Sequence, residues 1–166
     1  MSTVLVLGGS GFIGTRLVRR LSAEEKFSTR IFDKAPSMAH PDLVVLGDVR
    51  SVDQMRDAVP EGSVIVNLAA EHRDDVLPLS LYDEVNVGGA RNICAVAREK
   101  GVRTIVFTSS VAVYGFADVG TDESGLIAPF NDYGRTKYEA EKIFRAWQEE
   151  APHARTLVIV RPTAVF

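Results

Sequence analysis

A tyrosine and a lysine one helical turn apart form the clearest catalytic pattern in the sequence. The spacing Tyr-x-x-x-Lys occurs twice between residues 132 and 149, as Tyr133 with Lys137 and as Tyr138 with Lys142. A phenol is a poor base at neutral pH because the reference pKa of tyrosine is ~10. A neighbouring ammonium stabilises the phenolate and lowers that pKa. Such a pair could therefore exchange a proton with a substrate hydroxyl near neutral pH.

Helical geometry separates the two pairs, because residues three and four apart share a face. One predicted face is mainly apolar and carries Tyr133, Thr136, Lys137, Ala140, Phe144 and Trp147. The opposite face is polar and carries Tyr138, Glu141, Lys142, Arg145 and Glu149. A lysine on a core-facing side is costly unless it has a function. We therefore predict that Tyr133 and Lys137 are catalytic and that Tyr138 and Lys142 are a solvated pair.

A few other side chains could take part in chemistry. Ser110 follows a predicted strand and could bind the same substrate oxygen, or it could merely cap the strand end. His72 is a candidate for substrate contact, with an ordinary loop residue as the alternative. Cys94 lies in an apolar helical pattern and is interpreted as packing. The histidines lack ligand-like spacing, so no metal site is expected.

A glycine-rich segment directly follows the first apolar run. Gly8, Gly11 and Gly14 fit G-x-x-G-x-x-G, and Gly9, Gly11 and Gly14 fit G-x-G-x-x-G. Glycines here allow a tight turn, a close approach to a pyrophosphate and close packing of the next helix. The position between a strand and a helix supports a dinucleotide-binding loop rather than a turn without a ligand. We predict cofactor contacts at Gly8, Gly11, Phe12, Ile13 and Gly14.

Asp33 lies about 20 residues after this loop, at the end of the second predicted strand. Its carboxylate could accept hydrogen bonds from the adenosine ribose and would repel a 2′-phosphate, which favours NAD over NADP. The adjacent Lys34 weakens this preference, and an exposed turn aspartate is the alternative. Further cofactor contacts are predicted where the third and fourth strands end, at Asp48, Val49, Leu68, Ala69 and Ala70.

Alternating strands and helices must position these residues. Short apolar runs predict buried parallel strands at Val4–Leu7, Thr29–Phe32, Leu43–Leu46, Val64–Asn67, Thr104–Thr108 and Thr156–Val160. Amphipathic stretches predict helices at Ile13–Ala23, Ser51–Ala58, Ser80–Lys100 and Asp132–Glu149. This alternation indicates an α/β fold: a Rossmann-type, doubly wound parallel sheet in the order 3-2-1-4-5-6 with helices on both faces.

Composition excludes several classes of function. The 166 residues are 46% apolar and 25% charged, as in one soluble globular domain. A net charge of −3 gives no support for nucleic-acid binding. No apolar run reaches the ~18–20 residues of a membrane span, and no signal peptide is recognisable. With its single cysteine the chain forms no internal disulfide, so a cytoplasmic location is expected.

Together these residues resemble the extended short-chain dehydrogenase/reductase family, in its NAD-dependent nucleotide-sugar epimerase/dehydratase branch. The matching segments are Gly8–Gly14, Asp33, Asp48-Val49, Asn67–Ala70, Val85–Gly89, Ser109–Gly115, Tyr133–Lys137 and Arg161–Thr163. The resemblance implies a catalytic triad of Ser110, Tyr133 and Lys137, with Lys137 also binding the nicotinamide ribose. It implies a C4 epimerase of a nucleotide sugar that works by transient hydride transfer to tightly bound NAD.

Departures from the family pattern narrow this interpretation. Dehydratases of the branch carry an Asp-Glu pair where this sequence has Val111 and Ala112, which disfavours dehydration. Family members also continue past the Arg-Pro segment into a substrate lobe. We therefore expect residues 1–166 to be an NAD-binding domain without that lobe, which binds NAD but does not turn over a sugar.

Two alternative functions remain possible, and a homodimer is also predicted. A nucleotide-4-keto-sugar reductase would use the same triad with NAD(P)H, and a non-catalytic NAD-binding module would need no triad. The resemblance implies a homodimer formed by the helices at 80–100 and 132–149. The first of these helices is apolar on more than one face, which predicts surface for a partner.

Overall fold

Six parallel strands form the centre of the chain in the computed structural model, which describes residues 1–163. They are β1 (Ser2–Leu7), β2 (Phe27–Asp33), β3 (Val44–Leu46), β4 (Val64–Asn67), β5 (Thr104–Thr108) and β6 (Thr156–Val160). The order β3-β2-β1-β4-β5-β6 confirms the predicted doubly wound Rossmann topology. The strand order reverses between β1 and β4, where such sheets bind ligands at their carboxyl ends. Residues 164–166, with which the predicted domain ends, lie outside the described residues.

Helices connect most of the strands. They are α1 (Phe12–Ser22), α2 (Val52–Ala58), α3 (Ser80–Tyr82), α4 (Gly89–Glu99) and α5 (Asp132–Glu149). Two 3₁₀ helices, Pro41–Leu43 and Val111–Tyr114, were not predicted. The caps follow from the sequence: the side chain of Ser51 accepts from Gln54 N, and that of Asn131 accepts from Gly134 N. Gly101, with φ +62°, follows α4 at the position where a left-handed residue ends a helix.

The helix predicted over residues 80–100 is interrupted by a π-helical segment, Asp83–Gly88, which joins α3 to α4. Its buried Asn86 exchanges hydrogen bonds with the backbone of Glu71 and donates to Thr136 Oγ1 at 3.0 Å. Thr136 directly precedes Lys137. The π segment therefore ties the chain after β4 to the helix that carries the candidate catalytic pair.

The core lies on both faces of the sheet. On one face, Val4, Val6, Ile31 and Val66 pack with Val18 of α1. On the other face, residues including Leu5, Leu7 and Ile105 pack with side chains of α2, α4 and α5. The edge strands differ from the predicted fully buried strands, because Val45, Leu46, Val158 and Val160 are exposed.

The apolar residues of the 80–100 segment are largely used within the chain. Tyr82, Val87, Ala90, Ile93, Cys94, Val96 and Ala97 are all buried, while Leu81 and Val85 are half-buried. The second apolar face exists because this segment packs against α2 and α5 as well as against the sheet. The apolar pattern is therefore no longer an argument for a partner surface, and the homodimer stays a prediction.

Candidate functional site

The glycine loop passes closely beneath the end of β4. Gly8 has φ +76°, and a Cβ atom there would lie 2.8 Å from the backbone nitrogen of Ala69. A Cβ on Gly14 would lie 2.5 Å from Gly9 Cα. Side chains at these positions would push the loop away from β4 and α1 away from the loop. The glycines thus form a cradle of bare backbone at the N-terminus of α1, which suits a phosphate group.

Asp33 stands at the end of β2 with its carboxylate held by two backbone groups. Ser10 N donates to Oδ2 at 2.9 Å, and Ala35 N donates to Oδ1 at 3.0 Å. These bonds fix the carboxylate beside the glycine loop, on the wall of a cavity. Each oxygen retains capacity to accept a further hydrogen bond from a ribose hydroxyl.

Two adjoining cavities run along the carboxyl edge of the sheet. The first, of about 290 Å³, lies over β1, β2 and the end of β3, and the second, of about 250 Å³, reaches the start of α5. Every residue predicted to bind the cofactor or to act in catalysis lies on their walls. These residues are Gly8, Gly11, Phe12, Ile13, Gly14, Asp33, Asp48, Val49, Leu68, Ala69, Ala70, Ser110, Tyr133 and Lys137. An elongated cleft with a glycine cradle and a fixed carboxylate fits a dinucleotide such as NAD.

Asp48, on the wall of the first cavity, is engaged by a neighbouring arginine. Arg50 donates to its carboxylate through Nε at 3.0 Å and Nη2 at 2.7 Å. This hydrogen bonding holds the pKa of Asp48 below its usual value, although burial opposes the shift. Asp48 is therefore an anionic acceptor at the end of the first cavity.

The candidate triad converges on the second cavity. Ser110 accepts a hydrogen bond from Ala112 N at 3.1 Å, and Ser110 and Tyr133 both line this cavity. Burial raises the pKa of Tyr133 above its usual value, and the nearby hydroxyl of Ser110 opposes that rise. The expected lowering by Lys137 is not found in this structure, and the lysine side chain lies against another partner.

That partner is Phe107 on β5. Lys137 is 3% exposed, and its Nζ lies 4.4 Å from the centroid of the Phe107 ring. Burial lowers the pKa of Lys137 to about 7, and the charge of Glu141 opposes this shift. Burial therefore disfavours the charged form of this lysine.

The prediction that Glu141 lies on the polar face of α5 is wrong. Glu141 is fully buried and accepts from Arg161 through both carboxylate oxygens, at 2.9 and 2.6 Å. Arg161 follows β6, so its position could not be read from helical periodicity. Lys142 does lie at the surface as predicted, where its Nζ contacts Glu139 at 2.7 Å. Tyr138 is half-buried beside it.

Sequence reasoning missed several residues on the cavity walls. They are Ser10, Phe32, Ala35, Gly47, Val85, Thr108, Ser109, Pro162 and Thr163. Each lies at or near the carboxyl end of a strand, except Val85, which comes from the π-helical segment. Most of them could have been predicted from their position at a strand end, because the carboxyl ends of parallel strands share one edge of the sheet, where ligands bind. His72, the weaker candidate, lines both cavities.

Two further structural findings bear on function. None of the helices within residues 1–163 combines the length and the apolar character needed to cross a membrane. In the same part of the chain, His, Cys, Asp and Glu side chains form no group of three or more that could hold a metal ion.

Comparison with known proteins gives consistent matches. The family model for the NAD dependent epimerase/dehydratase family matches residues 4–166. An N-acetyl-alpha-D-glucosaminyl-diphospho-ditrans,octacis-undecaprenol 4-epimerase from Escherichia coli O157:H7 is 46% identical over 98% of this chain and 49% of its own length. A UDP-glucose 4-epimerase from Vibrio cholerae is 32% identical over 99% of this chain and 52% of its own. The chain thus spans about half the length of these curated relatives.

One solved structure with a similar fold has NAD bound. The crystal structure of UDP-glucose 4-epimerase from Brucella ovis in complex with NAD superposes with a TM-score of 0.86 at 25% identity. The match covers 97% of this chain and 51% of that one.

Proposed function

The chain belongs to the NAD dependent epimerase/dehydratase family, and on that premise we propose that the whole protein is an NAD-dependent 4-epimerase of a sugar carried on a diphosphate. NAD is the cofactor of this family, and the glycine cradle and Asp33 fit it. The observation that carries the proposal is the meeting of Ser110, Tyr133 and Lys137 in one cavity that adjoins the cofactor cleft. The named relatives act at C4, which supports the same position here.

Tyr133 is the group that exchanges a proton with the sugar hydroxyl. Its side chain lines the second cavity and is half-buried, so a sugar hydroxyl bound in that cavity can reach the phenol. Ser110 lines the same cavity as this phenol and can hold the substrate oxygen beside it. Both side chains are placed by backbone structure: Ser110 by the turn that begins the 111–114 helix, and Tyr133 by the first turn of α5.

Lys137 supplies positive charge to this proton exchange. In the protonated form its ammonium stabilises the phenolate of Tyr133 once it approaches that side chain. Lys137 would also bind the nicotinamide ribose, and other residues of the second cavity would contact the same ribose. When bound, NAD supplies reversible hydride acceptance and return, so that an epimerase does not consume it.

A nucleotide sugar is the substrate class that we propose first. The Vibrio cholerae relative is named for a UDP-sugar, and the matched Brucella ovis structure is named for the same one. A second candidate is a sugar on a polyprenyl diphosphate. It is favoured by one observation, the 46% identity to a relative named for such a substrate. Both candidates share a sugar attached to a diphosphate.

We also propose that the whole protein is a homodimer through the segments 80–99 and 132–149. The family resemblance carries this proposal, because the apolar residues of the first segment are buried within the chain. Arg135 of α5 and Asp83 of the π segment form an exposed ion pair at 2.7 Å, which places both segments on one continuous surface. Sedimentation at tens of micromolar protein tests the assembly, and a monomer alone would contradict it.

Product analysis tests the proposed reaction. The whole protein is incubated with UDP-N-acetylglucosamine, UDP-glucose or an N-acetylglucosaminyl diphosphopolyprenol, with NAD far below the substrate concentration. Proton NMR then detects the C4 epimer. Formation of many epimers per NAD supports an epimerase, whereas stoichiometric consumption of NADH or NADPH in a parallel reaction with a nucleotide 4-keto-sugar identifies a reductase. NAD binding without any turnover would identify a binding module.

A further inference from the structure

Arg161 joins three segments of the chain: α5, the 111–114 helix and the loop between them. It follows β6, and its side chain is 10% exposed. The guanidinium donates to both carboxylate oxygens of Glu141 on α5 and to the hydroxyl of Tyr114 at 2.5 Å. It also donates to the backbone oxygen of Glu123, in the loop, at 3.4 Å. Arg161 and Tyr114 both lie outside the walls of the two cavities, so any effect on the reaction must pass through other residues.

The two helices that Arg161 joins carry the candidate catalytic hydroxyls. Ser110 directly precedes the 111–114 helix, and its Oγ accepts from Ala112 N at 3.1 Å. Tyr133 lies in the first turn of α5. The two segments touch through their backbones, because a Cβ atom on Gly134 would overlap the carbonyl oxygen of Ala112. The separation of the two hydroxyls therefore depends on how these helices approach each other.

Arg161 fixes this approach at the end of the short helix. The start of the 111–114 helix is held by a backbone bond from Val111 N to Pro162 O at 3.2 Å. Tyr114 ends the helix, and its hydroxyl is held by the same guanidinium that holds α5. Because a guanidinium presents its N–H donors in a rigid planar fork, it fixes the positions of both partners relative to each other.

We propose that Arg161 and Tyr114 are positioning residues, which hold the hydroxyl of Ser110 beside that of Tyr133 so that both meet the same substrate oxygen. This role rests on the proposed epimerisation, in which Tyr133 exchanges the proton and Ser110 holds the oxygen. Placement of such groups matters because a shift of about 1 Å can lower a rate by about 10²-fold.

The alternative is that the network only stabilises the fold. A buried ion pair is weak evidence for that role, because apolar side chains of similar volume often replace such a pair without loss of stability. The two roles differ in their dependence on Ser110. A structural contact acts whether or not the serine hydroxyl is present, whereas a positioning contact acts only through it.

Tyr114→Phe tests the link, because it removes only the oxygen that accepts from Arg161 and leaves the ion pair with Glu141 in place. In the whole protein, kcat for epimerisation should fall about tenfold, while KM and NAD affinity change by less than about twofold. The substrate is the one, of the three used in the product analysis, that the unmodified protein epimerises fastest. Each variant is assayed below its unfolding temperature.

Ser110→Ala supplies the background that separates positioning from stability. Once the serine hydroxyl is gone, there is nothing left for Tyr114 to position. Adding Tyr114→Phe to Ser110→Ala should therefore change the remaining kcat by less than about twofold, since residues that act as a unit are not additive. A purely structural role would lower kcat by the same factor in both backgrounds.

Arg161→Lys gives a second test, because lysine keeps the charge beside Glu141 but lacks the planar fork. It should lower kcat, and this effect should also disappear in the Ser110→Ala background. Arg155→Lys is the matched control: Arg155 likewise pairs with a glutamate and lies over an aromatic ring, that of Trp147. It lies beyond the carboxyl end of α5 and outside both cavities, so its substitution should leave kcat unchanged.

The outcomes separate this role from the proposed function. If Tyr114→Phe leaves kcat unchanged, or lowers it equally with and without the Ser110 hydroxyl, Arg161 and Tyr114 do not position Ser110, while the proposed epimerisation stands. If the unmodified whole protein binds NAD but forms no epimer from any of the three substrates, the proposed function fails and the positioning role fails with it.

Discussion

Glu141 and Arg161 form a bidentate ion pair in the interior, where α5 meets the end of β6. Two hydrogen bonds of 2.9 and 2.6 Å join them, and Glu141 is fully buried. Arg161 also donates a hydrogen bond to the hydroxyl of Tyr114. The hydrogen bonds to Glu141 and to Tyr114 raise the pKa of the guanidinium above its usual value. Glu141 lies one helical turn beyond Lys137, and its charge opposes the lowering of the lysine pKa by burial.

Glu141→Gln should destabilise the chain by about 3–5 kcal/mol, because it leaves the charge of Arg161 buried without its partner. Urea unfolding at neutral pH measures this change. Glu139→Gln removes an exposed ion pair with Lys142 and should cost less than about 1 kcal/mol. Equal effects of the two substitutions would contradict the importance assigned to the buried pair.

Lys137→Met should make the stability of the NAD-free chain less dependent on pH. Burial lowers the pKa of Lys137 to about 7 in the folded chain, whereas an unfolded lysine titrates near ~10.4. Between these values the unfolded chain binds more protons, so stability rises with pH, by up to about 1.4 kcal/mol per unit for this group. Below about pH 7 both states are protonated and the folded chain bears the full burial cost.

The measurement compares unfolding free energies of the variant and the unmodified chain from about pH 7 to pH 8.5, within the window of rising stability. Their difference should change with pH in that window, and the variant should be the more stable at its acidic end. Lys142→Met is the control, because Lys142 is exposed and its loss should not alter the slope. A constant difference for Lys137→Met would contradict a buried lysine with a lowered pKa.

Patterns of neighbouring residues predicted most of the fold and of the site. The strand order and the bounds of α5, β4, β5 and β6 agree with the prediction, since continuous apolar runs and helical periodicity are local signals. The glycine loop and Asp33 were predictable because their positions relative to the first two strands are fixed by backbone geometry.

What the sequence did not reveal depends on contacts between distant segments. Glu141 was predicted to lie at the surface because no neighbouring residue in the sequence indicates its ion pair. Its partner, Arg161, lies 20 residues later and outside α5. The π segment arises where Asn86 bonds to Glu71 and Thr136, which lie 15 and 50 residues away. Likewise, the second apolar face of the 80–100 segment suggested a partner, although α2 and α5 of the same chain cover it.

Asp33 should make the protein prefer NAD to NADP. Its carboxylate is fixed at the cavity wall by Ser10 N and Ala35 N, and it would repel a 2′-phosphate. We expect NAD to bind at least about tenfold more tightly, which corresponds to ~1.4 kcal/mol. Calorimetric titration of both cofactors measures the ratio, and Asp33→Asn should reduce it. Asp42→Asn is the control, because Asp42 is exposed and outside the cavities. Equal affinity for NAD and NADP in the unmodified protein would show that Asp33 does not select between the two cofactors.

Tyr133 and Tyr138 provide the sharpest test of the site. Both begin a Tyr-x-x-x-Lys pattern, but of the two only Tyr133 lines either of the two cavities described above for residues 1–163. In the whole protein, Tyr133→Phe should lower the rate of epimerisation by about 10²–10⁴, the usual contribution of a positioned proton-transfer group. NAD affinity should hardly change, since only the hydroxyl is lost. Tyr138→Phe should leave both quantities unchanged, because Tyr138 lies beside the exposed Lys142.

NMR assays of the epimer and calorimetry with NAD measure the rate of epimerisation and the NAD affinity. If Tyr138→Phe abolished turnover while Tyr133→Phe remained active, the proposed catalytic role of the cavity containing Ser110 would be wrong.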